Sequence, residues 1–153
     1  MSDRPPLPPL TAHLGYWLRH VSNHVSHGFA RKLEGRGVTV AEWVFLRTLY
    51  DADSIGPSRL AERLGMTRGA ISKLAVRLID KKLVARAESE EDERAHLLSL
   101  TDAGLALVPA LAALADANDA EWFSALSAED RATIERLMRQ LVGTHGLSAT
   151  PVN

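Results

Sequence analysis

The chain has no cysteine among its 153 residues. Disulfides, thiolate metal ligands, cysteine nucleophiles and thiol-based sensing are therefore excluded. Aromatic residues are scarce, at 5%. Net charge is scarce too: 18 basic and 19 acidic side chains leave a formal charge of −1, which excludes a uniformly basic nucleic-acid binder. No apolar run is long enough to span a bilayer, and the start of the chain lacks a signal-peptide core, so a cytoplasmic protein is expected. There is no glycine-rich phosphate loop, no internal repeat, and Ser72 has no motif-linked His and Asp partners. An enzyme is not expected, nor is a cofactor. What remains is one domain's length of chain with an apolar fraction of 46%, enough for a real core.

Helical periodicity dominates. Leu10, Leu14, Trp17, Leu18, Val21 and Val25 recur at three- and four-residue steps, so 10–34 reads as one long amphipathic helix ended by Gly35 and Gly37. Thr39 and Glu42 have capping-box spacing and open a helix through Val44, Phe45, Leu46, Leu49 and Tyr50. Pro57 suits a first helical position after Gly56. Thr101 caps a helix through Leu105, Val108, Leu111 and Leu114, which Pro109 should kink or interrupt. Ser127 with Asp130 starts the last helix, with Ile134, Leu137, Met138 and Leu141 on one face. Pro5, Pro6, Pro8 and Pro9 favour an extended arm over 1–9.

The densest signal lies in 55–84. A short helix ends at Gly65, where a left-handed cap is wanted, and Thr67 caps a second helix after a tight turn. Ile71, Leu74, Ala75, Leu78 and Ile79 form the apolar side of that second helix. Its other side carries Gly69, Ala70, Lys73 and Arg77. Small residues near a helix start, with Lys and Arg beyond, suit close approach to a DNA major groove. Across 57–82, seven basic residues (Arg59, Arg63, Arg68, Lys73, Arg77, Lys81, Lys82) stand against Glu62 and Asp80, an excess of five. Ser58, Thr67, Arg68 and Ser72 are expected to position the motif through phosphate contacts or caps. Lys73 and Arg77 are the best candidates for base or phosphate contacts. After the helix pair, 83–87 and 96–100 read as two strands around an acidic loop, a hairpin. The order defines a winged helix, and the fold class expected is mainly α with a small β element (α+β).

The ordered set Leu60-Ala61-Glu62-Arg63-Leu64-Gly65, Thr67 to Lys73, Arg77-Leu78, Leu83-Val84, Asp92-Glu93-Arg94 and Leu98 to Thr101 with Gly104 resembles the MarR family of bacterial transcription regulators. The likeness covers roughly residues 10 to 143. It implies a winged helix-turn-helix DNA reader acting as a dimer, commonly a repressor. It also implies that Arg94 reaches a minor groove while Asp92 holds the wing. The cysteine-dependent peroxide-sensing branch of the family is excluded. Two departures stand out. Lys82 occupies a position where the family usually has Gly, so a lysine must adopt the left-handed conformation or the helix must end differently. The wing tip (Glu88, Glu90, Glu91, Asp92, Glu93) would repel phosphates.

The first and last helices have no obvious place to bury their apolar stripes within one winged helix. Pairing with a second copy solves this and gives a two-fold dimer. The organisation expected is therefore a proline-rich arm (1–9), a dimerisation region (10–36 and 101–146) and a winged helix-turn-helix (37–100), compact as one domain. Such a dimer reads a pseudo-palindromic duplex. The resemblance further implies a pocket for aromatic or phenolic acids between the dimerisation helices and the winged part. His13, Tyr16, Trp17, Trp43 and Arg47 sit on segments expected to wall it. Two alternatives remain open. His20, His24 and His27 share a helix face and would serve a zinc-responsive regulator, with Glu42 or His13 completing the site. The acidic wing would suit a winged-helix module that binds protein instead of DNA.

Overall fold

The computed structural model describes residues 4–90 and 96–152. A 3₁₀ turn over Leu10–Ala12 precedes helices α1 (Leu14–Glu34), α2 (Val40–Ala52), α3 (Pro57–Leu64) and α4 (Arg68–Asp80). Strands β1 (Val84–Glu88) and β2 (His96–Leu100) follow, then α5 (Asp102–Phe123) and α6 (Ala128–His145). The strands pair antiparallel from Val84 opposite Leu100 to Glu88 opposite His96. Ile55 extends the wing on its other edge, exchanging both backbone hydrogen bonds with Leu98 at 3.0 and 2.9 Å.

The local signals translate into geometry. Thr39 and Glu42 form the full capping box at the start of α2. Pro57 occupies the first turn of α3. Thr101 accepts from the Gly104 amide at the start of α5, and Ser127 from the Asp130 amide at the start of α6.

One expectation is corrected and a second is narrowed. The long first helix does not begin at Leu10, because His13 is extended (φ −101°, ψ 127°) and separates the 3₁₀ turn from α1. The turn is held by its own polar contacts: Trp17 Nε1 donates to the Thr11 carbonyl at 2.9 Å, and His13 Nδ1 lies 3.3 Å from the Leu10 carbonyl. Apolar periodicity runs across the break and so conceals it. Pro109 does not interrupt α5 either. Both Pro109 and Leu105, whose carbonyl loses its partner, are exposed, so the freed carbonyl can be hydrated.

The core forms around α2. Phe45, Leu46 and Leu49 meet Leu33 of α1, Leu60 and Leu64 of α3, Ile71 and Leu78 of α4, Val84 and Leu98 of the wing, and Val108 and Leu111 of α5. Asn118 is buried between α1 and α5, donating to the Val25 carbonyl at 3.1 Å and accepting from Lys32 at 3.1 Å. In contrast, α6 buries no residue. The first half of α1 is also uncovered: Leu14, Trp17, Leu18 and Val21 are 83%, 50%, 56% and 48% exposed.

The end of α4 is strained. Lys82 takes φ +59°, while the Leu83 amide reaches back to the Leu78 carbonyl at 3.0 Å. This closes the helix in a Schellman-like cap that ordinarily uses glycine. A left-handed L-residue costs about 1–2 kcal/mol, partly offset in a Lys82→Gly variant by glycine's greater unfolded-state entropy. Lys82→Gly should therefore stabilise the fold by about 0.5–1 kcal/mol, raising Tm by about 1–4 °C in a thermal melt. A lower Tm would contradict the cap.

Candidate nucleic-acid interface

The α3–α4 turn is built by local chemistry. Gly65 adopts φ +62°, and its amide reaches the Ala61 and Glu62 carbonyls. Met66 N–H then bonds the Ala61 carbonyl at 3.0 Å. Thr67 Oγ1 accepts the Ala70 amide at 3.1 Å and starts α4. Inward, α4 buries Ile71, Leu74, Ala75 and Leu78, with Ile79 half-buried. Outward, it exposes Arg68, Gly69, Ser72, Lys73, Val76 and Arg77 along one continuous face. Ser58 is exposed in the first turn of α3, and Ala70 is half-buried at the edge of the outward face.

Thr67, Arg68, Gly69, Ser72, Lys73 and Arg77 are thus exposed on α4 and its cap, with Ala70 half-buried beside them and Ser58 exposed on α3. Among the described residues, none of Arg68, Lys73 and Arg77 forms an ion pair, and Asp80 at the helix end is the one acidic side chain of α4 exposed with them. Lys81 behaves differently. Its ammonium lies 2.6 Å from the Glu42 carboxylate and 2.8 Å from the Gly37 carbonyl. Glu42 is buried, so this pair ties the end of α4 to the start of α2. Lys81 therefore leaves the cationic surface counted from sequence. Val76, 52% exposed between Lys73 and Arg77, was not singled out in the sequence. Its position four residues after Ser72 and three after Lys73 was the available signal. Asp92 and Arg94 lie outside the described residues, as do Glu91 and Glu93; Glu88 and Glu90 are exposed on the approach to that tip.

The five residues assigned to an effector are not brought together within one chain. Trp43 lines a cavity of about 450 Å³ between α1, α2 and α5, with Val25, Phe29 and Val44. Phe29 meets Trp43 edge-on at 6.4 Å. Tyr16 and Trp17 lie on the uncovered start of α1, stacked edge to face at 5.2 Å, beside His13. Arg47 points outward, paired with Asp51 at 2.7 Å and lying over the Tyr50 ring.

The histidines form a ring ladder in place of a metal cage. The His20 and His24 rings are 5.0 Å apart, and His24 stacks on Trp122 at 6.1 Å. His27 belongs to the same stretch of helix but borders the cavity. Glu42 is committed to the Thr39 amide and Lys81, and cannot complete a site. Among the described residues, no group of three or more His, Cys, Asp or Glu is placed to hold a metal. No helix among them is long and apolar enough to cross a membrane.

A buried core around α2, a helix-turn-helix with one solvent-facing helix, and a β-hairpin after it define a winged-helix protein. A MarR family model matches residues 36–95, which take in α2, α3, α4 and β1 and stop short of β2. The chain is 29% identical over 130 residues to the HTH-type transcriptional repressor Rv2887 of Mycobacterium tuberculosis, covering 85% of this chain and 94% of that protein. It is 39% identical over 72 residues to the HTH-type transcriptional repressor MdtR of Bacillus subtilis, covering 47% of this chain and 46% of that one. Among solved structures, a mutant form of MarR from E. coli complexed with operator DNA superposes with a TM-score of 0.75 at 26% identity, covering 84% of this chain and 93% of that chain. Across residues 36–95 the chain is similar to the MarR family, and both of these sequence relatives are named as transcriptional repressors.

Proposed function

We propose that the protein is a homodimeric DNA-binding repressor, acting in the cytoplasm, that reads a pseudo-palindromic operator with α4 and is released by a small aromatic or phenolic effector. The observation that carries the reading is the outward face of α4. It presents Arg68, Lys73 and Arg77, without ion-pair partners among the described residues, on a rigid helix whose other side is core. Gly69 and Ala70 let the helix start approach closely, Lys73 and Arg77 address phosphates or guanine edges, and Val76 suits contact with a thymine methyl. Thr67 serves as the cap that aims the helix, while Ser58, Arg68 and Ser72 anchor it to phosphates. Arg94, held by Asp92, is the proposed minor-groove contact.

A second copy is the natural cover for the start of α1 and for α6, where Ile134, Leu137, Met138 and Leu141 are 40–50% exposed. Apolar area of that extent on one face is unusual for a lone chain. For an effector, the Trp43 cavity offers a mainly apolar space of about 450 Å³, and Tyr16, Trp17, His13 and Arg47 would join it only through the partner copy or a hinge. A ligand that prefers a dimer with wrongly spaced reading helices lowers DNA affinity by population shift. The histidine ladder gives the zinc reading no third ligand.

Lys73→Ala tests the reading directly. It should weaken binding to a selected operator duplex by about 1–3 kcal/mol, roughly 5- to 150-fold, with Tm and oligomeric state unchanged. Affinity should also fall steeply with salt. Unchanged affinity would remove α4 from the interface. A chain that binds no duplex at any salt would favour a protein-docking module.

A further inference from the structure

The chain does not finish at α6. Past Gly146, which turns with φ +61°, residues 148–152 run back onto the winged helix. The Thr150 amide donates to the Leu64 carbonyl at 3.2 Å, at the C-terminal end of α3. Leu64 is one of the helix-end carbonyls with no partner inside its own helix, and here the donor comes from the far end of the chain. Ala149 sits directly on the turn: a Cβ built on Gly65 would lie 2.8 Å from the Ala149 Cα and 3.3 Å from the Ser148 carbonyl oxygen. Gly65 is therefore required twice, once by its positive φ and once by the tail crossing it. The next residues have a different neighbour. Thr150 and Pro151 form part of the wall of the cavity that holds Trp43 and Phe29.

We infer that residues 148–152 are a strap that holds the turn of the reading head and closes the cavity, so that whatever fills the cavity against Thr150 and Pro151 releases the turn. The physical basis is that one short segment touches both places. Its grip on the turn is a single backbone hydrogen bond plus close packing on a glycine. A molecule entering beside Trp43 competes for the volume of Pro151, and the amide of the residue before it is the one bonded to Leu64. The signal then reaches α4 through the Leu64–Thr67 turn, with no rearrangement of the core required. This regulation rests on the DNA-reading proposal for its consequence, though not for its existence.

The experiment uses the full chain with three changes: Thr150→Pro, which deletes the amide donor; Ala115→Trp, which puts an indole into the cavity from α5; and both together. Ser26→Phe fills the cavity from α1 should Ala115→Trp fail to fold. Amide exchange across 61–70 and affinity for a selected duplex are measured. Thr150→Pro should speed exchange at Gly65 and Met66 and lower affinity by about fivefold, the worth of one hydrogen bond, with Tm little changed. Ala115→Trp should speed exchange at the same amides, and the double variant should be no worse than the more affected single one, because both act by releasing one strap. Unchanged exchange in Thr150→Pro, or additive effects in the double variant, would overturn the inference. If the parent chain binds no duplex, only the affinity arm is lost, and exchange alone decides whether the strap exists.

Discussion

Gly104→Ala should be the most damaging single-methyl change in the described fold. A Cβ at position 104 would lie 2.2 Å from the Leu83 carbonyl oxygen and 3.2 Å from the Leu100 side chain. The obstacle is backbone, which cannot rotate away. That carbonyl already accepts the Thr101 amide at 3.1 Å, and the Thr101 hydroxyl donates to the Lys82 carbonyl at 2.7 Å. The first turn of α5 is thus docked against the base of the wing, and moving it breaks both bonds. We expect a loss of about 3 kcal/mol, at the upper end of ordinary overpacking, and a fall in Tm of about 6–12 °C. Wing amides of β1 and β2 should exchange faster before the melt. A Gly104→Ala protein with the parent's Tm would show that α5 does not sit on Leu83.

Substituting the uncovered face of α6 should have the opposite signature: little local strain, and a large loss of assembly. Leu137 and Leu141 are 46% and 50% exposed in the single chain, so Glu at both places costs that chain little by itself. If the face is the dimer contact, the same two charges must be desolvated against apolar partners. Interfaces of this obligate kind bury on the order of 2,000 Å² or more. The double variant should sediment as a monomer at micromolar concentration. DNA affinity should drop by about 100-fold or more, because each half-site is then bound independently and the effective-concentration gain of a linked pair is lost. Loss of helical CD signal along with the dimer would mean that the isolated chain is not stable alone. A dimer that survives both charges would place the interface elsewhere.

These expectations separate what sequence can carry from what it cannot. Capping boxes, the left-handed cap at Gly65 and the apolar stripe of α4 depend on residues within four positions of one another, and they were legible. So was the alternative at Lys82, because a missing glycine at a helix end leaves few ways to close it. The Lys81–Glu42 pair, the Ile55–Leu98 bridge, the close approach at Gly104 and the tail on Leu64 join residues far apart in the chain. No local period encodes them. The break at His13 was hidden for a different reason: the apolar repeat continues straight through it, and only the polar contacts of Trp17 and His13 hold the turn apart. The α4 surface was readable because its outward residues are spaced by the same helical period as its core. The effector site was not, since its five candidate residues occupy three separate places within one chain.

The most direct measurement is selection of bound duplexes from a random pool, followed by footprinting of the winners with the parent protein and with Lys73→Ala. A dimer reading DNA with α4 should select two inverted half-sites whose centres lie about 34–36 Å apart, each protected in the major groove, with the Lys73→Ala footprint weakened in both. Enriched duplexes with no repeated half-site, or footprints indifferent to Lys73, would contradict it.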